Sequence, residues 1–261
     1  MTLFLHEIKR NRVSLIIWTL VITFMLAVCV FIYPEMEGQM NEMTDAFADM
    51  GSFTAAFGMD ELNFGEFMGY FGIECGNVLG LGGALFASIL GISALAKEEK
   101  DKTAEFLLTH PVSRINITFC KLMSVFAQIF ILNLCVAVVT LLSVLAVGEE
   151  IDLKKMLLLF LAYFLLQIEI GGITFGISAF LRGGSLGVGL GIGLMMYFVN
   201  IISNLTDSLE FLKYITPFAY AEAGYIINNS AFEWKYMLVG GALLTVSLLL
   251  GFVKYNRKDI A

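Results

Sequence analysis

The chain of 261 residues is 58% hydrophobic and only 15% charged, with a mean hydropathy of +0.83 and a formal net charge of −7. An ordinary soluble domain is nearer half apolar and about a quarter charged, so this composition excludes that class and defines an integral membrane protein. The acidic balance says little about nucleic acid and more about where the acidic residues lie along the chain; no nucleic-acid partner is expected.

A bilayer core of about 30 Å takes about 20 mostly apolar residues per helix. Six runs reach that length, at about 13–33, 75–96, 118–147, 155–181, 186–205 and 237–253. The expectation is therefore an all-α membrane protein, residues 1–261 forming a single transmembrane domain. The first run follows basic residues, as a secretory signal does, but at about 21 residues it exceeds the roughly 7–15 of a cleaved one and reads as an uncleaved span. With an even number of spans both termini share a side. Placing that side inside puts Lys9, Arg10, Arg12, Lys97, Lys100, Lys102, Arg114, Lys121, Arg182, Lys254, Arg257 and Lys258 there, twelve of the sixteen basic residues. Cytoplasmic flanks carry that excess, so both termini are expected in the cytoplasm of a multi-pass cell-membrane protein. The outer face collects sixteen acidic residues.

The outer loop 34–74 opens with Met36, Met40, Met43, Phe47 and Met50, one apolar stripe on a helix whose other face carries Glu35, Glu37, Glu42, Asp45 and Asp49. It reads as an amphipathic helix, with thioether binding of copper(I) as the rival. Cys29, Cys75, Cys120 and Cys135 show neither disulfide nor zinc spacing, and no metal site is expected. The segment 97–114, KEEKDKTAEFLLTHPVSR, interrupts the apolar chain after the second run. From Glu98 to His110 it can form one short helix, Glu98 and Lys102 pairing at i, i+4 and Ala104, Leu107 and Leu108 sharing a face with Phe106 at its edge. Pro111 ends it, and Ser113 can cap the helix that becomes the third span. So short a helix needs a support for its apolar face, either lipid headgroups or another protein.

Glu169, in LLQIEIGGITFG, is the one ionisable residue deep in a span. A carboxylate there is costly and faces protein or a watery cavity. Two readings stand: a structural partnership with Asn133, Gln128 or Asn200, or a place in a translocation path with Gln167 and Asn133. Glycines four apart, Gly76 and Gly80, Gly183, Gly187 and Gly191, and Gly189 and Gly193, mark close helix packing, within this chain or against a second copy. No Gly-Lys dipeptide occurs, so the chain holds no P-loop. His6 and His110 are its only histidines, and neither H-E-x-x-H nor a serine elbow is present, so it is not expected to be an enzyme.

Glu98, Glu99, Thr103, Glu105, Leu107, Leu108, Pro111, Val112, Ser113, Arg114 and Lys121 resemble the pattern E-E…T-x-E-x-L-L…P-V-S-R…K that follows the second span in permeases of type 2 ABC transporters. Also similar are the basic amphipathic start FLHEIKRNRVSLIIW, the long outer loop after the first span, and LKYITPFAYAEAGYII before the sixth. The resemblance implies a permease subunit whose loop, through Glu98, Glu99, Thr103, Glu105, Phe106, Leu107, Leu108, Pro111 and Arg114, couples to a separate cytoplasmic ABC ATPase. That ATPase would bind the ATP and Mg, leaving no cofactor in this chain. Two such permeases, identical or homologous, would assemble with two ATPases as an exporter in contact with membrane lipids. The resemblance further implies an interfacial elbow helix at 1–12 and short helices re-entering from outside at 206–235, where an ordinary outer loop is the other reading. Lys102 departs from the pattern, which often has glycine there. A secondary transporter or channel working without an ATPase, and a non-transporting membrane sensor or assembly protein, are the alternative functions.

Overall fold

The computed structural model describes residues 2–48, 51–58, 61–100, 113–181, 183 and 186–257. Among them the chain is helical with no strand, and six helices are long and apolar enough to cross a membrane. These are Leu3–Met36, Phe67–Lys97, Arg114–Val147, Leu153–Ser178, Leu186–Asn204 and Trp234–Arg257.

Helix α1 (Thr2–Ala48) has 47 residues and contains Pro34. At about 1.5 Å per residue it is about 70 Å long, over twice a bilayer core of about 30 Å, so it must protrude. The segment expected as an elbow, the first span and the start of the outer helix are thus one unbroken helix. Pro34 removes one backbone hydrogen bond without ending it. Of the methionine stripe, Met36 packs partly buried on the core; Met40, Met43, Phe47 and Met50 lie outside the described side chains. A short helix, α2 (Ser52–Ala56), follows.

The second span is made of α3 (Phe67–Cys75), a single π-helical turn (Gly76–Leu81) and α4 (Gly82–Lys100). It begins eight residues before the expected position 75, because the apolar stretch FMGYFGI continues upstream past Glu74. That carboxylate is accommodated by the Cys29 thiol of α1, which donates to Glu74 Oε2 at 3.7 Å. Tyr33 of α1 anchors the start of α3, its hydroxyl donating to Gly65 O at 2.9 Å and its ring meeting Phe67 edge-on.

Helix α5 (Arg114–Val147) starts under the Ser113 cap, whose Oγ accepts from Asn116 N. It stops at Gly148, whose φ of 85° lies in the left-handed region that glycine adopts without strain. Asp152 caps α6 (Leu153–Ser178) by accepting from Lys154 N and Lys155 N. Next come α7 (Leu186–Asn204), 3-10 turns at Asp207–Tyr214 and Pro217–Ala221, the short α8 (Ala223–Asn229) and α9 (Trp234–Arg257).

The second span and α6 form the centre of the bundle, while much of α1, α7 and α9 faces outward with exposed residues such as Phe24, Phe198 and Leu249. Small residues bring the central backbones together. Gly91 of α4 abuts Gly171 O and Thr174 of α6, and a Cβ on Gly251 of α9 would stand 2.8 Å from Gly176 Cα. Gly189 and Gly193 of α7 seat against Ile92, Ser88 and Leu85 of α4, so this pair is packed within the chain. Gly191, on another face of α7, has nothing within 4 Å.

Candidate functional site

Both flanks of the segment 101–112, which lies outside the described residues, are bonded into the bundle. Lys121 of α5, fully buried at 0% exposure, donates from Nζ to Glu7 Oε1 of α1 at 3.0 Å and to Ala94 O of α4 at 2.9 Å. Arg10, one turn along α1, donates to the other Glu7 oxygen at 2.7 Å. The Arg114 guanidinium donates to Asn256 O in the last turn of α9 at 3.4 Å, placing a cation where the helix dipole is negative. Of the expected coupling residues, Arg114 is thus at the loop base, and α4 runs to Lys100, so Glu98 and Glu99 are helical in backbone at the end of the second-span helix. Thr103, Glu105, Phe106, Leu107, Leu108 and Pro111 lie outside the described residues.

Deeper in the bundle, the three residues expected along one path fall into two groups. Asn133 Nδ2 of α5 donates to Gln167 Oε1 of α6 at 2.7 Å, and Gln167 Nε2 donates to Leu79 O in the π-helical turn at 3.2 Å. All three positions are buried. The turn's altered register leaves a carbonyl for a side chain to satisfy, and Gln167 supplies the donor. Gly76 and Gly80 leave room there for Tyr163, since a Cβ on either would stand 3.0 or 3.1 Å from its side chain.

Glu169 lies two residues from Gln167, which on a helix turns it to another side. Its Oε2 accepts from the Tyr220 hydroxyl at 3.0 Å, and its carboxylate rests over Gly240 of α9, where a Cβ on that glycine would meet Oε1 at 2.6 Å. None of Asn133, Gln128 and Asn200, the partners expected from sequence, bonds Glu169. Asn133 is engaged with Gln167, and Gln128 Nε2 donates within its own helix to Ser124 O. The actual partner comes from the turn Pro217–Ala221, whose residues are buried against α6, α7 and α9. Thr216 fixes that turn by donating to Met196 O at 2.8 Å.

At the opposite end from the loop, a cavity of about 70 Å³ opens between α2, the second span, α6, α7 and the turn at 217–221. Asn77, Tyr163, Tyr197, Asn200, Phe218 and Glu222 supply most of its chemistry. Asn200 Oδ1 is buried and has no hydrogen-bond partner among the described residues. Glu222 accepts from Asn204 Nδ2 at 2.9 Å and faces Lys213 at 4.0 Å. Burial pushes its carboxyl above the usual range, Glu61 and Glu233 add to that, and Lys213 and Asn204 oppose it. Sequence reasoning missed this site because its members come from five separate segments, and the one signal was a run of tyrosines and asparagines in otherwise apolar stretches. Among the described residues no group of three or more His, Cys, Asp or Glu is arranged to hold a metal ion.

Six long apolar helices, with a minority of buried polar side chains among them, define a multi-pass transmembrane protein. The family described as ABC-2 family transporter protein matches residues 1–260, and the chain belongs to that family. Membership implies, in general terms, association with an ABC ATPase subunit. No curated protein matches the chain.

Proposed function

We propose that the chain is the permease subunit of an ATP-driven exporter, with a separate ABC ATPase binding ATP and Mg and the loop 97–114 docking on it. Both termini and this loop face the cytoplasm in this reading, and the permease works as a pair with an identical or homologous copy. ATP closes the ATPase pair, the loops move with it, and the spans shift between inward-open and outward-open states.

The observation that carries this reading is the family match over nearly the whole chain. The loop base supports it: Lys121 and Arg114 bond the residues just after the loop to α1, α4 and α9, so a force applied at the loop has a route into several spans. The test is charge reversal of Glu98 and Glu99 in the assembled complex. Hydrolysis that continues without nucleotide-driven movement of the spans is the expected result, and full coupling in that variant removes the proposal.

Glu169 favours a second reading, a secondary transporter, because a buried carboxylate bonded by a tyrosine hydroxyl within the spans is suited to ion coupling. It requires activity from this chain alone in liposomes under an ion gradient, abolished by Glu169→Gln.

A further inference from the structure

Three helices meet at one ammonium group. Lys121 projects from α5, seven residues after that helix begins; Glu7 comes from α1, and the Ala94 carbonyl from α4, six residues before that helix ends. The bond to Ala94 O spans 27 residues and closes the base of the loop, since its two members stand on the helices that enter and leave it. The bond to Glu7 then joins the closed base to the first helix of the chain.

Attachment alone does not explain this arrangement. Helices α1 and α5 already pack extensively along their length, and the apolar cluster includes Leu15, Ile22 and Leu26 of α1 with Ile117, Leu122 and Ile129 of α5. A buried ion pair is often no more stabilising than well-packed apolar residues of similar volume, its best-attested use being to fix one register. Apolar packing tolerates sliding, whereas donors aimed at a fixed carboxylate and a fixed carbonyl do not. The Glu7 carboxylate is held from both sides, by Arg10 of its own helix at 2.7 Å and by Lys121 from across the interface at 3.0 Å, with its side chain 3% exposed.

We infer that Lys121 is a positioning residue for coupling: through Glu7 and Ala94 it makes α1, α4 and the start of α5 one rigid body, so that displacement of the loop carries the first helix with it. This inference rests on the reading of the loop as the ATPase-docking element.

The experiment uses the assembled permease–ATPase complex in nanodiscs, spin-labelled at Leu5 of α1 and Ile115 of α5, both about half exposed at 51% and 56%. Their separation is measured by electron spin resonance without nucleotide and after trapping with ATP and vanadate. The expected result is one narrow separation, the same in both states, for the unsubstituted complex and for Lys121→Arg. Lys121→Met should acquire a second, displaced population on trapping. Because that variant leaves Glu7 with one cross-helix bond fewer and can fail to assemble, Glu7→Leu combined with Lys121→Leu serves as the second variant, which removes both members of the cross-helix pair and leaves Arg10, with its side chain 22% exposed, without the Glu7 carboxylate; the same displaced population is expected. A single unchanged separation in the assembled Lys121→Met or double-leucine complex overturns the inference. An unsubstituted chain that recruits no ATPase overturns instead the reading on which it rests.

Discussion

At Glu169, a carboxylate sits sixteen residues into α6, about 24 Å along the helix from its start, and its hydrogen-bond partner among the described residues is a hydroxyl from a turn between α7 and α8. Side-chain hydrogen bonds between membrane segments are worth on average about 0.6 kcal/mol and at most about 1.7 kcal/mol. Tyr220→Phe is therefore expected to lower the melting temperature in detergent slightly while the protein stays monodisperse, and a collapse of the fold would show that more than this bond holds the turn. Glu222 offers a test with a sign. Burial raises its pKa in the folded state, so its contribution to stability is present below the usual glutamate value of about 4.3 and is lost as pH rises through the raised value. Asn204, Lys213, Glu61 and Glu233 are the groups that face it. Amide protection in residues 217–229, taken relative to the intrinsic exchange rate at each pH, should be higher at mildly acidic pH than at neutral pH, and Glu222→Gln should flatten that difference. An identical pH response in the glutamine variant would assign it to another group.

Among the elements, the six spans were legible because a bilayer demands length and apolarity, and both are read directly from residues in order. The caps were equally local: Ser113 stands where the third span begins because a hydroxyl there meets the N–H of Asn116 three residues on. What sequence reasoning missed depends on residues far apart in the chain. The second span starts at Phe67 rather than near 75 because the apolar stretch continues upstream past Glu74, a carboxylate that Cys29, forty-five residues away, accommodates. The Leu79 carbonyl of the π-helical turn is satisfied by Gln167, 88 residues away, and Gln167 and Glu169, two residues apart in sequence, serve different neighbours. The glycine pattern was informative about packing but silent on which face is used. Gly91 meets backbone of α6 and Gly191 meets nothing within 4 Å. Gly91→Ala forces the α4 and α6 backbones apart, at a cost typical of overpacking, about 1–3 kcal/mol. Thermal unfolding should register that loss, whereas Gly191→Ala should leave the monomer's melting temperature unchanged. Equal effects at the two positions would contradict the helix packing described here.

For the whole molecule, the second span and α6 form a buried centre between helices that are largely outward-facing, and polar chemistry gathers at the two ends and along α6. One end holds the Glu7, Lys121 and Arg114 contacts around the loop; the other holds the cavity beside Glu222. Removing Lys121 alone would leave a buried carboxylate with one partner fewer, a class of change that costs about 3–5 kcal/mol where no other charge compensates. Arg10 remains on Glu7, so the loss in Lys121→Met should fall below that range, measured as the shift in unfolding temperature of the isolated permease. These contacts flank the segment 97–114, proposed to dock on an ABC ATPase. The most direct test of that docking is the amount of ABC ATPase retained by the affinity-purified permease, with Phe106→Asp combined with Leu107→Asp in the loop as the comparison. The unsubstituted chain is expected to retain the ATPase in equal proportion, and the double variant, still folded and monodisperse, to lose it. Retention of the ATPase by that variant at the unsubstituted level would contradict the account.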